Sequence, residues 1–214
     1  MTKTDELPVE APSDNDSRAR LVRGAARLVH AESYHSVGVK AICDEAGVQR
    51  GSFYHFFESK QALMLESLEL MWQHFVDEGL APCRDETLPP RERIEGMIHH
   101  AASKQHRYKA RTGRVLGCAF GNLAAEAATL DDGLRLRLQQ IFDDWAEIVA
   151  GPLAEAQRRD EIDACLVPYK AACEIVASLQ GLMVLAKVRN DPDTITACGG
   201  VITDNLWGCA NHVE

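Results

Sequence analysis

Residues 38–57, GVKAICDEAGVQRGSFYHFF, decide the fold of this chain. The first half of this stretch places apolar residues at the spacing of one buried helical face. Gly47 follows at once and predicts the end of that helix, because glycine readily adopts the left-handed conformation of a helix C-terminus. A second short helix is predicted to begin near Gln49. Two short helices joined by a glycine-containing turn are typical of a helix-turn-helix, whose second helix enters the DNA major groove. The apolar positions of the first helix are Val39, Ile42, Cys43 and Ala46.

Extended through Leu63, this stretch resembles the DNA-binding helices of the TetR family of bacterial transcriptional regulators. Three positions depart from the family pattern. Gly38 stands where the family usually has Thr or Ser, Cys43 replaces the usual Ala, and Phe56 replaces a usual His or Tyr. Because Gly38 offers no hydroxyl to a DNA phosphate, we expect a backbone amide to serve in its place. The matching positions are Ile42, Ala46, Gly47, Val48, Gly51, Ser52, Tyr54, Phe57, Ser59, Lys60, Ala62 and Leu63.

The resemblance implies an all-α fold, in which an N-terminal three-helix helix-turn-helix domain precedes a larger helical ligand-binding and dimerisation domain. We accordingly expect a disordered acidic tail at residues 1–16, a DNA-binding domain at 17–77 and an effector-binding and dimerisation domain at 78–214. Apolar residues at helical spacing predict helices in both domains. The predicted helices span residues 17–33, 60–78, 91–108, 114–128, 131–159, 168–189 and 193–209, with a loop at 80–90.

The distribution of charge favours a DNA-binding end on an acidic body. The whole chain carries a formal net charge of −9. Residues 17–60 include seven basic and four acidic side chains, a net charge of +3, which leaves −12 on the remainder. A basic module on an acidic protein is expected when one end of the molecule meets phosphate. The resemblance implies that the partner is double-stranded DNA with a near-palindromic operator, read by a homodimer.

Composition predicts a cytoplasmic protein without a cofactor. No run of 18 apolar residues indicates a membrane span, and the acidic, polar first residues do not form a secretory signal. The seven cysteines are an odd, scattered set without CxxC spacing, which predicts free thiols and no disulfide framework. We also expect no metal site, because no cysteine or carboxylate completes a ligand set with His99, His100 and His106.

The residues expected to contact DNA lie on and around the second short helix. Arg50 is suited to pair with guanine in the major groove or to grip phosphate. Tyr54 and Lys60 are expected to donate hydrogen bonds to phosphate, whereas His55 is equally compatible with a plain surface position. The complete expected DNA-binding set is Gly38, Lys40, Gln49, Arg50, Gly51, Ser52, Tyr54, His55 and Lys60.

A second informative stretch is GCAFGNLAAE at residues 117–126. It resembles a GCL…N…E segment in one branch of the TetR family, some members of which respond to reactive electrophiles through this cysteine. A thiol reacts as its thiolate, which nearby cations favour. Arg114 is predicted one helical turn before Cys118, and Lys187 is a second candidate cation if the fold brings it close. Two other interpretations of Cys118 stay open: a small buried apolar residue, or a residue that lines a pocket without reacting.

The pattern as a whole predicts a dimeric transcriptional repressor that leaves its operator when a small-molecule inducer binds or when Cys118 is modified. Two alternatives remain, a thiol-dependent enzyme that acts on electrophiles and a DNA-binding protein without an effector. No phosphate-binding glycine loop, nucleophile elbow or paired-carboxylate pattern supports an enzyme, so no catalytic residue is expected. Aromatic, sulfur-containing and histidine side chains suit a pocket for a small, partly apolar effector, although such residues also build cores. The candidate pocket residues are Trp72, Phe75, Met97, His100, Phe120, Trp145 and Met183.

Overall fold

The computed structural model describes residues 17–208, and every regular element in that part of the chain is a helix. The all-α prediction is therefore confirmed. The expected tail at residues 1–16 and Cys209 lie outside the described residues. The helices are α1 (Ser17–Ala31), α2 (Val39–Ala46), α3 (Arg50–Phe56), α4 (Lys60–His74), α5 (Ala81–Arg84), α6 (Pro90–Thr112), α7 (Ala119–Ala127), α8 (Asp132–Arg158), α9 (Pro168–Arg189) and α10 (Asp193–Gly208), with a π-helical turn at Phe75–Gly79.

The chain divides into two compact units. The first comprises the residues up to Phe75 together with Ala119–Gln139, and the second comprises Val76–Cys118 together with the residues from Gln140 onward. The expected domain boundary after residue 77 lies close to the first of these divisions. Residues 119–139, however, are expected in the C-terminal domain and instead belong to the N-terminal unit, where α7 packs against α1.

In the first unit, the helices α1 to α4 bury their apolar faces against one another. Leu21, Ile42 and Phe53, from three different helices, are almost completely inaccessible to solvent. Burial of each such side chain contributes about 1.5–3 kcal/mol. This burial stabilises α2 and α3, which are too short to be stable alone. The hydroxyl of Ser59 caps α4 by accepting a hydrogen bond from the backbone N–H of Ala62 at 3.0 Å.

Several predicted boundaries are wrong, and the backbone shows why. The sequence predicts a helix over 114–128, but α7 begins only at Ala119. Gly113 and Gly117 both have a φ of 76°, and this left-handed conformation ends α6 and keeps the intervening residues out of a helix. The predicted loop at 80–90 contains the short helix α5. The helix predicted over 60–78 ends as an α-helix at His74, and the π-helical turn follows it.

The second unit is built around α6, the later part of α8, α9 and α10. Met97 and Trp145 lie in its core, where the indole N–H of Trp145 donates to the Met97 sulfur at 3.3 Å. The buried Arg93 guanidinium donates to the carbonyl oxygen of Cys83 at 3.0 and 2.6 Å and pairs with Glu155 at 2.7 Å. Because this charge is both paired and hydrogen-bonded, its burial is tolerated, and it ties α5, α6 and α8 together.

Helix α9 has one buried face and one exposed apolar face. Leu179 and Ala186 are fully buried, whereas Val184 and Val188 are 59% and 80% exposed. Judged by length and composition alone, α9 is apolar enough to cross a membrane, although the sequence analysis expects no such segment. A core helix of a soluble protein can have the same composition, and 39% of the most apolar 18-residue segment of α9 is buried. A contiguous exposed apolar face marks an interaction surface.

Candidate DNA-binding surface and thiol site

The reader helix α3 is held in place from its buried side. Gly47 closes α2 in the left-handed conformation, with a φ of 61°. Gln49 is extended, with φ and ψ of −64° and 137°, and it precedes the first residue of α3. Phe53 and Phe57 then anchor the helix and its C-cap in the core, with ring centroids 6.0 Å apart. The turn and the two aromatic anchors therefore fix which face of α3 meets solvent.

The solvent-facing side of α3 carries the polar residues that the sequence predicts for DNA contact. Tyr54 is the largest of them, and 60% of its surface is exposed. Arg50 lies in the first turn, where its guanidinium has the two parallel N–H donors that a guanine edge requires. This placement suits both base readout and phosphate contact. The other exposed members of the predicted set on this helix and its N-cap are Gln49, Gly51, Ser52 and His55.

The N-terminus of α2 presents a second part of the same candidate surface. Gly38 is exposed, extended and without a capping side chain, so backbone amides of the first turn remain open to a phosphate. Lys40 forms an ion pair with Asp44 at 2.6 Å, and its side chain is still 77% exposed. An exposed pair of this kind is weak, which means that exchanging Asp44 for a DNA phosphate costs little.

Lys60 has hydrogen-bond partners within the protein. Its ammonium donates to the carbonyl oxygens of Tyr34 at 2.6 Å and Val37 at 3.0 Å. It also lies 4.1 Å from the centroid of the Tyr34 ring, and burial lowers the pKa of the amine. We infer that Lys60 mainly holds the loop between α1 and α2 and thereby positions Gly38. The expected direct phosphate contact of Lys60 receives no support from this arrangement.

Glu126, at the end of α7, holds the same loop from the other side. One of its carboxylate oxygens accepts hydrogen bonds from the Ser33 hydroxyl at 3.0 Å and from the Tyr34 N–H at 2.8 Å. The imidazole of His35 lies 3.3 Å from the Glu126 carbonyl oxygen. In the sequence this glutamate stands out only as the last position of the GCL…N…E resemblance. Its partners are 92 and 93 residues away, so no local signal reveals them.

We expect Glu126→Gln to lower the free energy of unfolding of the first unit by about 1–2 kcal/mol, because hydrogen bonds to a charged acceptor are stronger than neutral ones. Urea denaturation followed by tryptophan fluorescence and circular dichroism measures this change. Glu32→Gln is the matched control, since Glu32 is exposed at the end of the same loop. Equal stability of the two variants would show that the Glu126 contacts contribute nothing.

The loop before Cys118 is clamped to α6 by a buried carboxamide. The Gln105 oxygen accepts hydrogen bonds from the N–H groups of Leu116 at 3.1 Å and Gly117 at 2.9 Å. The Gln105 amide nitrogen donates to the carbonyl oxygen of Gly117 at 3.1 Å. Gln105 is 1% exposed, and three hydrogen bonds satisfy its amide. The position of Cys118 is therefore fixed by its two preceding residues, and Gly117 supplies the backbone conformation that they need.

A second clamp attaches the same loop to the end of α9. Asn190 caps α9 in the left-handed conformation, with a φ of 50°. Its side-chain oxygen accepts a hydrogen bond from the Val115 N–H at 2.8 Å, and its nitrogen donates to the Gly113 carbonyl oxygen at 3.1 Å. The loop that leads to Cys118 thus joins α6 to the C-terminus of α9.

The structure changes the set of cations to consider around Cys118. Arg114 is exposed and lies in this loop, so the predicted spacing of one helical turn before Cys118 is wrong. Lys187 is exposed in the last turn of α9, and its approach to Cys118 stays a prediction. Lys104, on α6, interacts electrostatically with the Cys118 thiol, and the sequence analysis misses it. Lys104 directly precedes Gln105 in the sequence, but only the fold shows that Gln105 clamps the loop before Cys118.

Lys104 belongs to a cluster of titratable groups in the second unit. Burial lowers the pKa of the Lys104 ammonium, and electrostatic interactions with Cys118 and Glu78 oppose that change. Burial, together with the Lys104 charge, lowers the pKa of His100 to about 4. Burial raises the pKa of Tyr108 to about 12. At neutral pH the imidazole and the phenol are therefore uncharged, which leaves the lysine, the thiol and the glutamate as the groups that set the local charge.

The remaining cysteines differ from Cys118 in their surroundings. Cys43 and Cys83 are buried, and burial raises the pKa of the Cys83 thiol to about 12. Cys165, Cys173 and Cys198 are exposed. Within the described part of the chain no cysteine forms a disulfide. Cys118 is half-buried and has charged neighbours, which is the environment in which reactive thiols occur.

The candidate pocket residues fall into two separate groups. Trp72, Phe75 and Phe120 belong to the first unit, with ring centroids 5.8–6.1 Å apart. Met97 and Trp145 are in contact in the core of the second unit, where Met183 is also buried. Met97 and Trp145 are therefore core residues. Of the candidate pocket residues, His100 has a buried polar atom, Nε2, without a hydrogen-bond partner among the described residues.

Comparisons with known protein families match both parts of the chain. Residues 21–67 match the model for bacterial regulatory proteins of the tetR family, and residues 90–198 match the model for a tetracyclin repressor-like C-terminal domain. The two matches together span the reader helices and most of the helices that follow. They confirm the family resemblance that the helix-turn-helix pattern indicates.

Individual relatives agree with the family models. The chain is 30% identical over 196 residues to the transcriptional regulator AcuR of Cereibacter sphaeroides, covering 88% of this chain and 84% of AcuR. It is 27% identical over 197 residues to the HTH-type transcriptional repressor DhaR of Mycobacterium sp. (strain GP1), covering 92% and 96% of the two chains. The crystal structure of a regulatory protein TetR from Rhodobacter sphaeroides is similar, with a TM-score of 0.79 at 27% identity and coverage of 89% and 98%.

Proposed function

Because the chain belongs to the TetR family and is a DNA-binding transcriptional regulator, not an enzyme, we propose that it is a cytoplasmic homodimeric repressor. An effector or the modification of Cys118 releases it from its operator. The observation that carries this proposal is the exposed polar face of α3, which two buried aromatic anchors hold outward. The name of the relative DhaR as a repressor supports the direction of regulation.

The proposed homodimer interface is the exposed apolar face of α9. Cys173, Ala177, Gly181, Val184 and Val188 are all exposed and recur every three or four residues, so they form one continuous stripe along the helix. The stripe is apolar and contains small residues, which permit close approach of a second helix. A second copy of the chain is the occupant that the function requires, because one short reader helix contacts too few bases and a two-fold dimer reads two half-sites.

A route from Cys118 to the reader follows from the covalent chain. Cys118 directly precedes α7, and Glu126 near the end of α7 holds the loop between α1 and α2. A group added to the thiol must alter the loop that Gln105 clamps, and with it the start of α7. In this proposal the modification shifts the population toward a conformation in which the two readers no longer match the half-site spacing.

The experiment that tests the function measures binding to the DNA upstream of the protein's own gene, with and without N-ethylmaleimide. We expect affinity to fall steeply with salt and to weaken by about 5- to 150-fold on modification, the range of a typical coupling between two sites. Cys118→Ser is expected to bind equally well and to ignore the reagent. Cys165→Ser, which removes an exposed thiol instead, is expected to remain sensitive.

Each part of the proposal has its own contradicting result. Unchanged binding by the modified wild-type protein would remove Cys118 from the mechanism and leave a reversible small-molecule effector. Loss of binding by modified Cys118→Ser would place the response at another cysteine. Salt-independent binding would contradict the phosphate contacts proposed for α2 and α3.

A further inference from the structure

Lys104 carries an ammonium on α6 that interacts electrostatically with the Cys118 thiol and with the Glu78 carboxyl. Lys104 is half-buried on α6, and no described residue forms a hydrogen bond or an ion pair with its side chain. An ammonium removed from water without a compensating anion is costly, so such groups are retained where an anion lies close. Two acids of the second unit act on it electrostatically, first Cys118 and then Glu78.

Two other titratable side chains of α6 near this lysine carry no negative charge near pH 7. His100, one helical turn before Lys104, is neutral near pH 7, and Tyr108, one turn after it, keeps its proton. Arg107 and Arg111 are positive charges that act on Tyr108. Among the neighbours of Lys104, the Cys118 thiol and the Glu78 carboxyl are therefore the sources of negative charge.

The loop clamp fixes the residues just before Cys118 against α6, the helix that carries Lys104. Lys104 is followed by Gln105, whose carboxamide makes three hydrogen bonds to Leu116 and Gly117. Cys118 is the next residue after that clamped pair. The clamp thus brings the residue that carries the thiol to the helix that carries the ammonium.

We propose that Lys104 is the residue that holds Cys118 as a thiolate and so makes this cysteine the reactive thiol of the protein. The inference rests on the proposed function and deepens it by assigning the cation that activates the sensor. Solvent takes the thiol proton, and the ammonium stabilises the anion that remains. With iodoacetamide, the thiolate electron pair forms a sulfur–carbon bond, the carbon–iodine bond breaks, and iodide leaves.

A second observation points to a molecule entering this cluster. The Nε2 atom of His100 is buried and has no hydrogen-bond partner among the described residues. Buried polar atoms are usually satisfied, so an unmet one indicates a ligand or water that completes the site. An electrophile with a carbonyl oxygen or an amide N–H would supply that partner beside the thiolate. Iodoacetamide and N-ethylmaleimide both carry such groups.

The test measures the rate of Cys118 alkylation by iodoacetamide in the full-length protein between pH 5 and 9, followed residue by residue with mass spectrometry. Cys165 and Cys198, both exposed, serve as internal references in every sample. We expect the alkylation rate of Cys118 to rise at a lower pH than the rates of these two reference thiols. In Lys104→Met its titration midpoint should move up, and its rate at pH 7 should fall about five- to tenfold, because the thiolate fraction falls while its intrinsic reactivity rises slightly.

Three further variants make the test specific. Lys104→Arg keeps the charge and is expected to retain the low midpoint, which separates electrostatics from a loss of folding. Lys109→Met removes a lysine from the last turns of the same helix and is expected to leave the Cys118 rate unchanged. Lys187→Met examines the other candidate cation. A Cys118 midpoint that is unchanged in Lys104→Met, or that moves only in Lys187→Met, overturns the inference.

Failure of this inference and failure of the proposed function give different results. If Lys104→Met slows alkylation but alkylated wild-type protein still binds DNA, Lys104 activates the thiol, and modification of Cys118 does not release DNA. If alkylation releases DNA while Lys104→Met reacts at the wild-type rate, modification of Cys118 releases DNA, and Lys104 does not activate the thiol.

Discussion

Replacing Leu185 by glutamate is expected to convert the protein to a monomer and to weaken operator binding by about a hundredfold or more. The reason is that two linked DNA-binding domains bind more tightly than a single one by about 10²–10⁴-fold. Leu185 is 45% exposed and borders the apolar stripe of α9, next to Val184. In a dimer that buries this stripe, a carboxylate from each subunit would lose water without gaining a partner. Light scattering after size exclusion gives the mass, and fluorescence anisotropy with an operator duplex gives the affinity.

Leu130→Glu is the matched control for this prediction. Leu130 is 71% exposed and receives the same substitution, but it lies between α7 and α8 in the first unit and does not belong to the stripe. We expect this variant to remain dimeric and to bind DNA as the wild type does. A dimeric Leu185→Glu with normal affinity would show that subunits associate through another surface.

Arg50→Ala is expected to lower affinity for the operator by about 1–3 kcal/mol, roughly 5- to 150-fold, if the guanidinium pairs with a guanine. Because Arg50 is exposed on α3, the free energy of unfolding should change little. Binding to the operator and to a scrambled duplex, each measured at several salt concentrations, separates base recognition from phosphate contact. Base recognition predicts a larger loss on the operator than on the scrambled duplex.

Arg50→Lys sharpens this distinction. Lysine keeps the charge but loses the planar pair of donors, so we expect operator specificity to stay low while the salt dependence returns toward that of the wild type. Equal losses on both duplexes in Arg50→Ala, with full recovery in Arg50→Lys, would assign Arg50 to phosphate and not to a base. Base readout would then have to come from other exposed residues of α3.

Several elements could be predicted from sequence because their signals are local. The end of α2 at Gly47 and the start of α9 at Pro168 depend on backbone preferences of single residues. The burial of Phe53 against exposure of Arg50 and Tyr54 follows from helical spacing on α3. The predicted helix at 114–128 failed because apolar spacing outweighed two glycines whose left-handed conformation interrupts it.

The sequence by itself determined the helix-turn-helix, the helical class of the chain and the family. Apolar periodicity indicates a helix and its buried face, and glycine positions indicate where a helix ends. The tertiary structure alone decided the partners of the polar groups. Lys60 is bound to the loop between α1 and α2, Glu126 holds that loop, and Lys104 acts on Cys118. The physical reason is that these interactions join residues distant in sequence, and a helical period shows which face is buried without showing what it meets.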